Sequence, residues 1–229
     1  GAYPAAITRT NNYIGCYVNN SYYFNGNIND FRLYHRILSA YDVLSIYNFN
    51  NAFLKNTIQD GLLCYYSFET ADVTGSNLAN LATGYPVNDA TLYNSPSIGT
   101  TSYIVGSSSI LLSSASSQYV QINKTFTNTT SGMAFAFWFA SNNSVNNAPI
   151  FDFGNGAAND NVILALFSDT YCPTFHIYNG GSDYTLTSET ALNTGVWTHL
   201  AVTFSEGTGA IYINGSQDCY TSMTAPNNV

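Results

Sequence analysis

Thirteen carboxylates, three histidines and four cysteines are the groups in this chain that could do acid–base, metal or thiol chemistry. The acids are scattered. No E-x-D-x-x-E run sets paired carboxyls at the separation that glycoside hydrolysis needs, and neither a G-x-S-x-G elbow nor an H-E-x-x-H zinc helix occurs. His35, His176 and His199 are far apart in sequence, and His199 alternates away from Leu200, so a structural hydrogen-bonding role is the simpler reading. The chain reads as a non-enzyme with no cofactor. The one oxygen-rich loop, FDFGNGAANDN at 151–161, offers Asp152, Asn155 and Asp160 as weak ligands for a structural calcium; lacking EF-hand spacing, it reads more simply as a solvated loop. Cys16, Cys64, Cys172 and Cys219 have no C-x-x-C spacing, which disfavours zinc and favours disulfides in an oxidising compartment.

Sugar chemistry has more support. N-x-[ST] acceptors occur at Asn19, Asn123, Asn128, Asn142 and Asn214, although a chain this rich in Asn, Ser and Thr also makes them by chance. Nineteen tyrosines supply stacking surfaces, with Tyr22, Tyr23, Tyr178 and Tyr184 as candidates for sugar contact and HIYNGGSDYT at 176–185 as a binding loop. The bland alternative is that tyrosine is an ordinary strand residue with a wettable tip.

Charge narrows the partners. Five cations face thirteen acids, for a net charge of −8. Phosphate-backbone binding and attraction to anionic membranes both need clustered cations, so neither nucleic acid nor a membrane is expected as a partner. With 8 % charged residues, solubility falls to Asn, Ser, Thr, Gly and tyrosine hydroxyls, or to attached sugar. No apolar run reaches transmembrane length. The chain opens at Gly1 in mid-pattern and reads as a piece of something longer, secreted to the cell surface or beyond.

The elements that must position these groups are mostly strands. GMAFAFWFA puts Met133, Phe135, Phe137 and Phe139 on one face and Ala134, Ala136 and Trp138 on the other, which predicts a central strand covered on both sides. VWTHLAVTF groups Leu200, Val202 and Phe204, and SQYVQI groups Val120 and Ile122. GAIYING ends in Asn214-Gly215, a strong hairpin signal. Many short strands between Gly, Asn, Ser and Thr turns predict an all-β sandwich or jelly roll. A single short helix is expected over 38–48, capped by Ser39 and Asp42, with Leu38, Val43, Leu44 and Tyr47 as its apolar stripe.

These blocks carry a resemblance. GLLCYYSFE (61–69) with NDATLYNSPSI (88–98), SSSILLSSASSQYVQI (107–122), MAFAFWFA (133–140), VWTHLAVTFSEGTGAIYING (196–215) and YFNGNINDFRLYHRILSAYDVLSIY (23–47) resemble the successive blocks of laminin G-like, concanavalin A-like jelly-roll domains. The resemblance implies a jelly-roll β-sandwich with one short helix. It also implies a rotated order, because the block that closes such domains comes first here, within 1–50. Residues 51–60 read as a linker and 61–229 as the main body.

Two arrangements fit that order. In one, the chain is a circular permutant that closes on itself. In the other, which this reading prefers, residues 1–50 complete a neighbouring subunit or repeat, giving a head-to-tail array of identical units joined by strand complementation. In family order Cys219 and Cys16 fall close together, so Cys16–Cys219 and Cys64–Cys172 are the implied pairings. The expected function is an N-glycosylated extracellular structural subunit of a filament or tandem-repeat surface protein. The alternative is a carbohydrate-binding adhesion module.

Overall fold

Apolar residues recurring at every second position build most of this chain, and they build it as strands with one wet face and one dry face. The computed structural model describes residues 9–48, 59–83, 90–125, 132–142, 148–155, 160–166, 170–179, 182–205 and 207–221. Two antiparallel sheets face each other. The larger runs in the order β14 (Ser182–Thr187), β13 (Pro173–Asn179), β12 (Val162–Leu166), β11 (Ala148–Gly154), β1 (Asn11–Ile14), β9 (Tyr119–Ile122), β6 (Ala90–Tyr93), β5 (Asn77–Leu78), β4 (Val73–Thr74). The smaller runs β17 (Ser216–Thr221), β16 (Thr208–Ile213), β15 (Thr198–Ser205), β10 (Met133–Ser141), β2 (Gly26–Tyr34), β8 (Ser109–Leu112), β7 (Ser97–Gly99), with β3 (Leu62–Tyr66) also paired to β2.

The rotated order has a direct structural meaning. β1 lies between β11 and β9 in the interior of the larger sheet, and β2 lies between β10 and β8 in the interior of the smaller one. The N-terminal segment therefore supplies an interior strand to both sheets, here of its own chain. Its Phe31 enters the aromatic core, 5.5 Å from Phe137, 6.2 Å from Phe151 and 6.4 Å from Phe135 between ring centroids. Phe135 and Phe151, from opposite sheets, stack at 4.0 Å. β10 is buried along its whole length, as its two apolar faces require.

The outer face of the smaller sheet is also covered. Ala134, Ala136, Ala201 and Ala210 leave a shallow floor there, and Leu38, just before helix α1 (Ala40–Tyr47), packs into it with Val43 and Ile46 of the helix. A reciprocal capping box starts the helix: Asp42 N–H donates to Ser39 Oγ at 3.1 Å and Ser39 N–H donates to Asp42 Oδ2 at 2.9 Å. Arg36 pairs with the same carboxylate at 3.0 Å. The expected stripe is corrected at one position. Leu44 is 45 % exposed, and Ile46, three residues after Val43, takes the buried place.

A bulge in β2 opposite the Ala136–Trp138 stretch puts Asp30 at φ +57°, in the left-handed region. The bulge turns the Asp30 carboxylate onto Arg32, which is itself fully buried, at 2.9 Å, and Arg32 lies over the Tyr65 ring at 4.7 Å.

The disulfides are a second correction. All four cysteines are free thiols. Cys219 is on β17, at the outer edge of the smaller sheet, whereas Cys16 follows β1 in the interior of the larger. Cys64 faces the core from β3, and Cys172 precedes β13. Adjacency in block order does not bring side chains on different sheets within bonding reach. Of the linker, 51–58 lies outside the described residues; Asp60 meets Arg36, whose Nε donates to its carbonyl at 2.8 Å.

Phe31→Ala removes the ring that ties the segment to both sheets. A loss of about 3–5 kcal/mol in stability is expected, read as a lower urea midpoint with an unchanged slope.

Candidate functional site on the outer face of the larger sheet

Alternation in register across seven strands lines up Thr91, Gln121, Tyr13, Asp152, Ile163, His176 and Thr185 on the side of the larger sheet away from the core. Beside this row sits a tyrosine cluster. Tyr93 and Tyr119 stack at 4.6 Å with rings 2° from parallel, Tyr13 meets Tyr119 edge-on at 5.3 Å, and Tyr23 lies 6.2 Å from Tyr119. Tyr93 is 37 % exposed, so the cluster presents an aromatic edge to solvent.

The loop after β1 forms one wall. Its Gly15 donates to Ile150 O and accepts from Phe24 N–H, Tyr17 N–H donates to Tyr22 O, and Cys16 bridges Tyr23. At Gly15, with φ +90°, an added Cβ would sit 2.4 Å from the Leu112 side chain, so the turn needs glycine. This geometry seats Val18 N–H 3.0 Å from Asp152 Oδ2, and Asn161 Nδ2 donates to Oδ1 at 2.8 Å. Asp152 is buried, and desolvation pushes its carboxyl up to about 7 despite those two donors. Burial, with the nearby Asp152 charge adding to it, likewise raises the Tyr17 phenol and the Cys16 thiol well above their ordinary values. On the far side His176 Nδ1 lies 3.1 Å from Asp183 and its ring stacks on Tyr178 at 6.0 Å.

The expected site residues fall unevenly on this surface. Tyr22, 45 % exposed, packs edge-on against Tyr17, and Tyr23 joins the cluster. Tyr178 lies across the sheet beside His176. Tyr184 does not belong here: it is the register partner of the buried Ile177 and packs on the core side. The sequence reading missed Tyr13, Tyr17, Tyr93 and Tyr119 as site residues. Alternation marked Tyr119 as outward, but only strand order shows that it meets Tyr93 and Tyr13.

The expected calcium ligands Asp152, Asn155 and Asp160 each already meet a protein donor, and 156–159 of their loop lie outside the described residues. Asp152 spends its oxygens on Val18 and Asn161, Asn155 Oδ1 accepts from Thr10 N–H at 3.2 Å, and the Arg9 guanidinium donates to Asp160 O at 2.9 Å.

Among the glycosylation acceptors, Asn19 is exposed on a turn, with Ser21 N–H donating to its Oδ1 at 3.0 Å. Asn123 is exposed and donates to Thr91 Oγ1 at 2.9 Å, and Asn142 is exposed at the end of β10. Asn214 serves the β16–β17 turn, its Oδ1 accepting His199 N–H at 3.0 Å. Asn128 lies outside the described residues.

Asp152 makes stability depend on pH with a defined sign. Its carboxyl titrates near 7 when folded and near 3.8 when unfolded, so the folded chain holds the extra proton between those values. Its contribution is full below about pH 4 and is lost as pH rises to 7. Asp152→Asn is expected to abolish that slope and to gain stability at pH 8, by roughly 4 kcal/mol at most, in urea melts across pH 4–8.

Residues 114–229, just over half the chain, match the laminin G model of the concanavalin A-like lectin/glucanases superfamily. The 2.1 Å crystal structure of residues 221–444 of an S-layer domain-containing protein from Clostridium thermocellum is 29 % identical, over 71 % of this chain and 73 % of that one, with a TM-score of 0.42. Comparison with curated proteins gave no match. The match over residues 114–229 joins the two antiparallel sheets and the W-x-H and YING strands in one assignment: the chain belongs to the concanavalin A-like lectin/glucanases superfamily, as a laminin G-type domain.

Proposed function

We propose that this domain is a structural unit of an extracellular filament or tandem-repeat surface protein, assembled head to tail when the N-terminal segment of one copy completes the sandwich of the next. The observation that carries the reading is the seat of β1 and β2. A body without them is cut through the middle of both sheets, between β11 and β9 and between β10 and β8. It also loses Ile14, Ile28, Phe31 and Leu33 from the core. That body cannot close its own backbone ladders, so whichever chain supplies the segment is held by main-chain pairing on both flanks. A single connection, 49–58, joins segment to body, and exchange between copies would keep every contact. Its Tyr- and Asn-rich surface, sparse in charge, suits an extracellular setting with sugar on the exposed Asn19, Asn123 and Asn142. No helix among the described residues is long and apolar enough to cross a membrane, and the reading assigns no catalysis.

The outer-face tyrosines favour a second reading, a carbohydrate-binding adhesion module. Stacked Tyr93 and Tyr119 beside Gln121, Asp152 and His176 offer an aromatic platform next to hydrogen-bonding groups.

Deletion separates the readings. Residues 61–229 alone are expected to lack a cooperative melt and to recover it when the 1–50 peptide is added. The full chain is expected to form end-to-end particles in negative stain and a concentration-dependent mass in light scattering. A strictly monomeric full chain up to millimolar concentration would sink head-to-tail assembly. If Tyr93→Ala then abolished glycan-array binding shown by that monomer, the adhesion reading would replace it.

A further inference from the structure

Beneath α1, the outer face of the smaller sheet holds a histidine whose ring has no hydrogen-bond partner among the described residues. His199 is fully buried, its ring 5.3 Å from Trp138 and 5.7 Å from Tyr47, and Tyr47 stacks on Trp138 at 5.4 Å. Its backbone is tied to the β16–β17 turn by exchange with Asn214. Neither imidazole nitrogen has a hydrogen-bond partner among the described residues, and neither has Trp138 Nε1. A neutral ring survives there on packing. An imidazolium would bury a full charge and two donors with no acceptor.

The groups facing this ring come from three elements. β10 contributes Trp138. α1 contributes Tyr47, the last residue of the helix. β2 contributes Arg32, the charge that bears on His199, whose own counter-ion is Asp30 at 2.9 Å. Tyr47, Arg32 and Asp30 belong to the N-terminal segment, whereas Trp138 and His199 belong to the body. The ring therefore lies on the seam between the two.

We propose that His199 is an acid-operated latch on the N-terminal segment: neutral, it closes with Trp138 under Tyr47 of the segment, and protonated, it sets a second cation beside Arg32 and releases residues 26–47. The proposal rests on the reading that this segment is exchangeable, and names what regulates the exchange.

The sign follows from the burial. Desolvation first, and Arg32 second, hold the folded imidazole down to about 3, against 6.5 when exposed. The open form takes up the extra proton between those values. Closure is complete above pH 6.5 and weakens as pH falls through that window, by roughly a hundredfold at pH 4.5. Asp152, on the other sheet and bonded to Val18 of the same segment, works in the opposite direction. Opening should therefore begin at β2 and α1 rather than at β1.

Hydrogen-exchange mass spectrometry on the full chain at pH 7 and pH 4.5, corrected for intrinsic rates, tests this. Peptides over 26–34 and 40–47 are expected to lose roughly a hundredfold in protection on acidification, while those over 162–166 and 173–178 keep theirs. His199→Phe, which keeps an aromatic ring in the cage, is expected to remove the acid effect, and His199→Gln is a second variant should the first misfold. Loss of protection that persists in both variants, or that spreads evenly over every strand, would overturn the latch. Mixing two fluorescently labelled populations at pH 4.5 and returning them to pH 7 tests exchange separately. Mixed assemblies support transfer of the segment between copies. Local opening without them leaves the latch standing and removes the exchange reading.

Discussion

The structure depends on one insertion, that of residues 9–48 into the interior of both sheets. Interior strands are paired on both edges and buried on the core face, so they carry more of the ladder and more of the apolar surface per residue than edge strands do. Phe31 concentrates the effect. It touches rings from β10 and β11, the two long body strands that face each other across the core. Without it the stacked Phe135–Phe151 pair loses its third side.

The same insertion builds both special surfaces of the molecule. On the larger sheet, β1 and its following loop bring Tyr13, Tyr17, Tyr22, Tyr23 and the Val18 amide to Tyr93, Tyr119 and Asp152 of the body. On the smaller sheet, β2 and α1 bring Arg32 and Tyr47 to Trp138 and His199. Each surface is thus composite, and each contains one buried titratable group from the body, Asp152 or His199. Their linkages have opposite signs over nearly the same pH range, so their effects on global stability partly cancel while their local effects do not.

Burial accounts for both shifts. Asp152 is held by two donors, yet it lies under the 16–24 loop where desolvation dominates. His199 has no hydrogen-bond partner on its ring among the described residues and sits near a cation, so desolvation and Coulomb repulsion act together. A buried histidine without a hydrogen-bond partner is costly when charged, and the proposed latch rests on that cost.

Much of this was legible in the residue pattern. Period-two alternation marked β9, β10 and β15 and their core faces, Asn214-Gly215 marked the β16–β17 hairpin, and Ser39 with Asp42 marked the start of α1. The block resemblance named the fold and its rotated order, because those motifs encode local strand and turn chemistry. Local pattern could not say which strands become neighbours. It paired Cys16 with Cys219 where sheet order separates them, placed Tyr184 outward where register with Ile177 turns it inward, and overlooked Tyr93 beside Tyr119. Elements and their apolar faces follow from short-range sterics and side-chain periodicity, so the sequence by itself determined them. The composite tyrosine face, the Asp30–Arg32 pair under its bulge and the buried His199 depend on contacts between residues far apart in sequence or on a single irregular residue, and only the tertiary structure decided those.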